Sequence, residues 1–210
     1  MAPISLALTI LAVAMANEPV ATPPRPVHDA GTGRPASSLA GTWREIGYGR
    51  VLAIGEKGFD LYHQTQILCY RDEGVVDAPL DSRYSLYDLS PDGATLTLYF
   101  HDLGKSTTHF QNHQRFERLP SLPAGCVPSL KGSRFERPEF IFDLFWQTFA
   151  DHYAFFAERG VDWKRIRADF RPRVRAEMTS SELFDLFSEM LRPLNDGHVN
   201  LYLAPDRRFS

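Results

Sequence analysis

Two hydrophobic periods divide this chain, and they do not interleave. Between Thr95 and Tyr99 the residues alternate, with Leu96 and Leu98 on one face and Thr95, Thr97 and Tyr99 on the other. Between Leu183 and Leu194 the apolar residues Leu183, Phe187, Met190, Leu191 and Leu194 recur at helical spacing. The first pattern is that of a strand and the second that of a helix. Strand-like runs fill the first half and helix-like runs the second, so the chain reads as α+β. The change falls in the segment 121–138, where Pro123, Pro128, Pro138, Gly125 and Gly132 mark a linker between domains.

Residues 39–120 form the β domain. Its runs are GTWREIGYGRVLAI (41–54), FDLYHQT (59–65), ILCYR (67–71), RYSLYDL (83–89), ATLTLYF (94–100) and THFQNHQRFERL (108–119). Turn signals separate them, notably Gly55-Glu56-Lys57-Gly58 and Ser90-Pro91-Asp92-Gly93. Some six strands at hairpin spacing predict a small antiparallel β barrel or sandwich. Gly41 and Trp43 resemble the first-strand motif of lipocalin-like barrels, a likeness carried by three residues.

The helical part is punctuated by its caps. Phe142, Phe145, Phe149 and Phe156 predict a first helix over 139–158, ended by Gly160. Asp162 caps a second, with Trp163, Ile166, Phe170 and Val174 inward and Pro172 shortening or kinking it. Thr179 and Glu182 make a capping box for the third. Pro193 and Asn195-Asp196-Gly197 stop that helix, and Val199, Leu201 and Leu203 start a strand. A three-helix bundle leading into a strand is the expectation.

Before the β domain, residues 1–16 have an apolar run from Ile4 to Met15 and the small residues Ala14 and Ala16, so they read as a signal peptide, although no Lys or Arg precedes the run. Residues 17–38 hold five prolines and read as an extended linker. Export to the periplasm or outside the cell follows as the expected localisation. Cys69 and Cys126 fit such a compartment as a disulfide, whose pairing stabilises by roughly 4 kcal/mol on the chain-entropy model. Two buried thiols are the alternative.

A net charge of −3 gives no ground for nucleic acid or an anionic membrane surface as partner. The apolar run of the leader is too short for a stable membrane span. His101, His109 and His113 do not make a metal site, since on a strand His109 and His113 stand about 13 Å apart. The aromatic residues Phe140, Phe142, Phe145, Phe149, Tyr153, Phe155 and Phe156 read as core and not as a ligand groove. No phosphate loop, nucleophile elbow or zinc motif is present in the sequence, and no cofactor is expected. His198 follows Asn195-Asp196-Gly197, where Asn and Asp favour a turn and Gly197 tolerates positive φ. A turn residue and a catalytic histidine are both compatible with that setting.

The stretch from Asp143 to Leu203 is similar to a known region. An aromatic-rich helix, Gly160-Val161-Asp162-Trp163, Arg171-Pro172, the helix SSELFDLFSEML and the turn Leu194-Asn195-Asp196-Gly197-His198 together resemble the segment that precedes the catalytic part of the C-terminal-processing and tricorn-core serine peptidases. It covers residues 139–204 as a helical bundle of the peptidase N-terminal type, with 205–210 as a truncated tail. The β part with Cys69 and Cys126 resembles the N-terminal extension of some bacterial members. The resemblance implies a PDZ-like module and a crotonase-like core elsewhere, and a serine nucleophile in that core. It implies that His198 belongs to the catalytic group, as general base or orienter. The expected function is the non-nucleophile portion of an exported serine endopeptidase, silent as this chain alone, acting on a peptide or protein and open to self-association. A lipocalin-like small-ligand or protein-binding module and a pseudo-enzyme scaffold are the alternatives.

Overall fold

The computed structural model describes residues 23–101, 112–203 and 207–209. The leader expected at 1–16, the start of the linker at 17–22, and His109 lie outside the described residues.

The division into strands and then helices holds. The strands are β1 Arg25–Pro26, β2 Gly41–Glu45, β3 Arg50–Ile54, β4 Phe59–Gln64, β5 Cys69–Arg71, β6 Tyr84–Leu89, β7 Thr95–Phe100, β8 His113–Leu119 and β9 Cys126–Val127. They build one nine-stranded sheet in the order β1-β6-β7-β8-β2-β3-β4-β5-β9. All neighbours are antiparallel except β5 and β9. The sheet is not closed, so of the two expected forms the sealed barrel is absent. The run 41–54 is two strands and not one, because Gly47 and Gly49 take positive φ (94° and 62°) and turn the chain between β2 and β3.

The inner face of the sheet is filled. Trp43 and Leu52 face each other across β2 and β3, Leu52 faces Leu61, and Leu96 faces Phe116. Trp43, Leu52, Leu96, Leu98 and Phe116 are all buried. The alternation in β7 thus sends Leu96 and Leu98 inward. The linker at 17–38 is not wholly extended and free: Arg25 and Pro26 pair with β6, and Val27, Ala36 and Leu39 join the core. Likewise Cys126 and Val127, inside the linker 121–138, form the last strand of the sheet. Cys69 and Cys126 stand opposite each other there and are bonded as a disulfide across 57 residues.

The helices are α1 Pro138–His152, α2 Trp163–Phe170 and α3 Ser180–Leu191. Pro138 opens α1 at a position where its missing N–H costs nothing. The helix ends at His152, six residues short of the expected Glu158, because Tyr153 turns to extended backbone (φ −87°, ψ 116°). Phe156 still packs inward, stacking on Trp163 at 5.2 Å. Phe155 does not: it is 53% exposed, which corrects its assignment to the core. Asp162 caps α2 by accepting from Arg165 N at 2.9 Å, and Pro172 ends it in a single 3-10 turn. At α3 the Thr179 hydroxyl accepts from Glu182 N while Glu182 accepts from Thr179 N. Thr179→Ala removes one half of that reciprocal cap and should cost about 1 kcal/mol, read as a lower urea midpoint with unchanged slope.

The helices close around a second core. Phe142, Met190 and Leu194 are fully buried in it, and Phe145 stacks on Phe187 at 3.9 Å. After a 3-10 turn at Arg192–Leu194 the chain forms β10 Leu201–Leu203, which pairs with β11 Arg207–Phe209. Val199 and Leu201 pack into the helical core, so the turn carrying His198 is fixed at both ends.

Candidate functional site

The helical core brings the Asn195–His198 turn against the last turn of α1. The positive φ of the turn falls on Asn195 (44°), a residue type that tolerates it, and not on Gly197 as the sequence suggests. Val199 N donates to Asp196 O at 3.0 Å and closes the turn.

Asp196 organises everything around it. Its Oδ1 accepts from His198 N at 3.0 Å and faces His198 Nδ1 at 3.1 Å. Its Oδ2 accepts from the Tyr153 hydroxyl at 2.8 Å and lies 3.7 Å from the Arg159 guanidinium. Arg159 also donates to Asn195 O at 2.7 Å. The Asp196 side chain is only 6% exposed whereas that of His198 is fully exposed.

Charge and hydrogen bonds agree at this carboxylate. The His198 backbone N–H first, then the Tyr153 hydroxyl, the His198 ring and Arg159, hold the Asp196 carboxyl down to about 2. Burial, then the adjacent Asp196 carboxylate, pushes the Tyr153 hydroxyl up. The folded carboxyl binds its proton less readily than the unfolded one, so the contribution to stability is complete above about pH 4. It is lost as pH falls through about 2. Lowering the pH from 4 to 2 should therefore release the Tyr153 and His198 side chains together. Their NMR ring signals should move in step over that window, ahead of or with global unfolding.

An ionised carboxylate only accepts, so the His198 nitrogen facing it carries the hydrogen. The neutral ring is then the Nδ1–H tautomer, with Nε2 left as a base on the open side. A carboxylate behind one nitrogen and a free second nitrogen is the arrangement that orients a general base. The ring opens on a cleft of about 260 Å³ lined by Thr148, Phe149, His152, Tyr153, His198 and Asn200. Thr148 is engaged with the Leu144 carbonyl at 2.8 Å, as a helical threonine often is. Among the described residues no serine or cysteine lines this cleft.

Other residues singled out in the sequence lie elsewhere. His113 is exposed at the start of β8, beside Tyr99 at 5.8 Å between ring centres, and the His101 ring meets the Asp81 carbonyl. The disulfide sits at the edge of the sheet and not in the cleft. Asp196, Tyr153, Arg159 and His152 are the site residues that sequence reasoning did not assign. Only for Asp196 was there a signal, its place two residues before His198.

Residues 136–192 match the family model of the Tricorn protease C1 domain. No curated protein and no solved structure matches the chain. The matched segment takes in all three helices and stops short of the Asn195–His198 turn. It supports a tricorn-related, protease-related assignment for the helical part. Among the described residues no helix is long and apolar enough to cross a membrane.

Proposed function

We propose that this chain is the histidine-bearing, non-nucleophile portion of an exported serine endopeptidase of the tricorn-related class. The single observation that carries it is the Asp196–His198 pair. A carboxylate whose side chain is only 6% exposed faces one nitrogen of an exposed imidazole at 3.1 Å, and the ring lines an open cleft. The tricorn-type match of the three helices that hold this turn supports peptide or protein as the substrate. In this proposal His198 takes the proton from a serine hydroxyl supplied from outside the 210 residues and returns it to the leaving amine. The β domain guides substrate or assembly, and the C-terminal-processing type is the finer affiliation.

The test is casein hydrolysis by the purified 210-residue chain and by the protein read from its complete gene. Turnover by the second and not by the first is expected. Turnover by the isolated chain that disappears in His198→Ala would place the nucleophile within it and overturn the division of labour. Cleavage by neither would remove the peptidase assignment.

One observation favours a second function, a binding module in the β domain. Glu45, its side chain 2% exposed, accepts from Arg50 at 2.5 and 3.0 Å and from Gln114 at 2.7 Å, beneath an open cleft of about 460 Å³ flanked by Ile46, Tyr48 and Phe100. The filled sheet interior confines any ligand to that rim. Saturable binding of a fluorescent hydrophobe, lost in Tyr48→Ala, is the result that would favour this function.

A further inference from the structure

Three consecutive residues at the end of α1 tie the β domain to the His198 turn. Asp151 accepts from Gln66 N at 2.7 Å and from Gln66 Nε2 at 2.8 Å, and Gln147 Nε2 donates to the same carboxylate at 2.7 Å. Gln66 lies at the tip of the turn between β4 and β5, closed by Thr65 and Leu68. His152 Nε2 lies 2.8 Å from the carbonyl of Gln64. Tyr153 holds Asp196. Thus two residues clasp the first domain and the next orients the carboxylate behind His198.

The seat of His152 is built for its ring. A Cβ on Gly49 would fall 2.1 Å from His152 Cε1 and 2.7 Å from Gln64 O, and Gly49 already has φ of +62°. Gly49 O in turn accepts from Gln64 N at 2.7 Å. A carbonyl can only accept, so His152 Nε2 carries the hydrogen. In the neutral ring this leaves Nδ1 as an acceptor. His198 has the opposite tautomer, and both rings line one cleft.

We propose that His152 is a substrate-binding residue of this cleft, with its Nε2–H tautomer imposed by the β domain. Its Nδ1 accepts a backbone N–H of an extended peptide lying beside His198. This rests on the peptidase function proposed above. An extended peptide suits the cleft because it offers its N–H groups at about 3.3 Å per residue, on alternating sides. The walls supplied by Phe149 and Tyr153 are apolar faces that do not compete for them. Gly49, Gln66 and Asp151 are positioning residues: they act through His152 and do not touch the peptide.

Long-range proton–nitrogen NMR of the imidazoles in the whole 210-residue chain tests this, with oxidised insulin B chain as the peptide. His152 should show a single Nε2–H tautomer, and the peptide should shift its Nδ1 signal together with the His198 signals. In Asp151→Asn, and in Gly49→Ala, the His152 tautomer should become mixed and peptide affinity should fall roughly tenfold, the size of one hydrogen bond. Asp151→Asn should retain the wild-type circular dichroism, which separates the loss of the tautomer from any strain that Gly49→Ala puts on the turn. An Nδ1–H or averaged His152 ring in the wild-type chain overturns the proposal. So does a peptide that moves His198 and leaves His152 unmoved, and in that case the peptidase function stands. A peptide that moves neither ring removes both.

Discussion

Trp43→Ala should destabilise the β domain by about 5 kcal/mol, enough to unfold much of it at room temperature. Trp43 is fully buried, opposite Leu52 in the register of β2 and β3. Truncating a buried tryptophan removes its transfer free energy and leaves a cavity that β2, paired on both sides with β3 and β8, cannot collapse to fill. A second loss adds to the first. The indole N–H donates to the Leu39 carbonyl at 2.8 Å, and that carbonyl, on a fully buried residue, is left without its donor. The outer face of the ring also carries the Arg118 guanidinium at 4.0 Å, whose stacking is lost. Urea unfolding followed by near-ultraviolet circular dichroism measures the change. Trp43→Phe, which keeps most of the volume and loses the donor, should cost well under half as much.

The division of the chain was legible because period is a local property. Leu96 and Leu98 alternate with Thr95 and Thr97, and the structure places them inward as a strand must. The caps at Asp162 and Thr179 are equally local, since each side chain reaches a backbone N–H three residues on. What escaped was decided by partners distant in sequence. Nothing near Val27 announces that Arg25 and Pro26 will pair with β6, some sixty residues later. The end of α1 escaped for the same reason: Phe156 keeps the helical spacing, but Tyr153 leaves the helix to place its hydroxyl on Asp196. The candidate site was legible only as a histidine in a turn. Its carboxylate lies two residues away and could be suspected, whereas Tyr153 and His152 lie on another element and looked like ordinary parts of an aromatic stripe.

A second large effect is expected at His198 itself. Its side chain is fully exposed and its one polar contact is with Asp196, so replacing it with alanine should move the melting temperature little. The chemistry should respond very differently. Nε2 is the nitrogen that Asp196 leaves unprotonated, and a positioned acid–base group contributes about 10²- to 10⁴-fold to the step it serves. The effect belongs in kcat, because proton transfer is made in the transition state and not in the bound ground state. Asp196→Asn should lose less. Its amide can still contact the ring, but it holds the wrong tautomer for part of the time and no longer offsets the charge on a protonated imidazole.

The central claim is that His198, held by Asp196, is the proton-transferring group of a peptide-cleaving site. The most direct measurement compares casein cleavage by the protein read from the complete gene with that by its His198→Ala form, at equal fold and equal peptide binding. A fall in kcat of about 10²-fold or more is the predicted result. A variant that cleaves at the wild-type rate would contradict the claim and leave His198 as a turn residue.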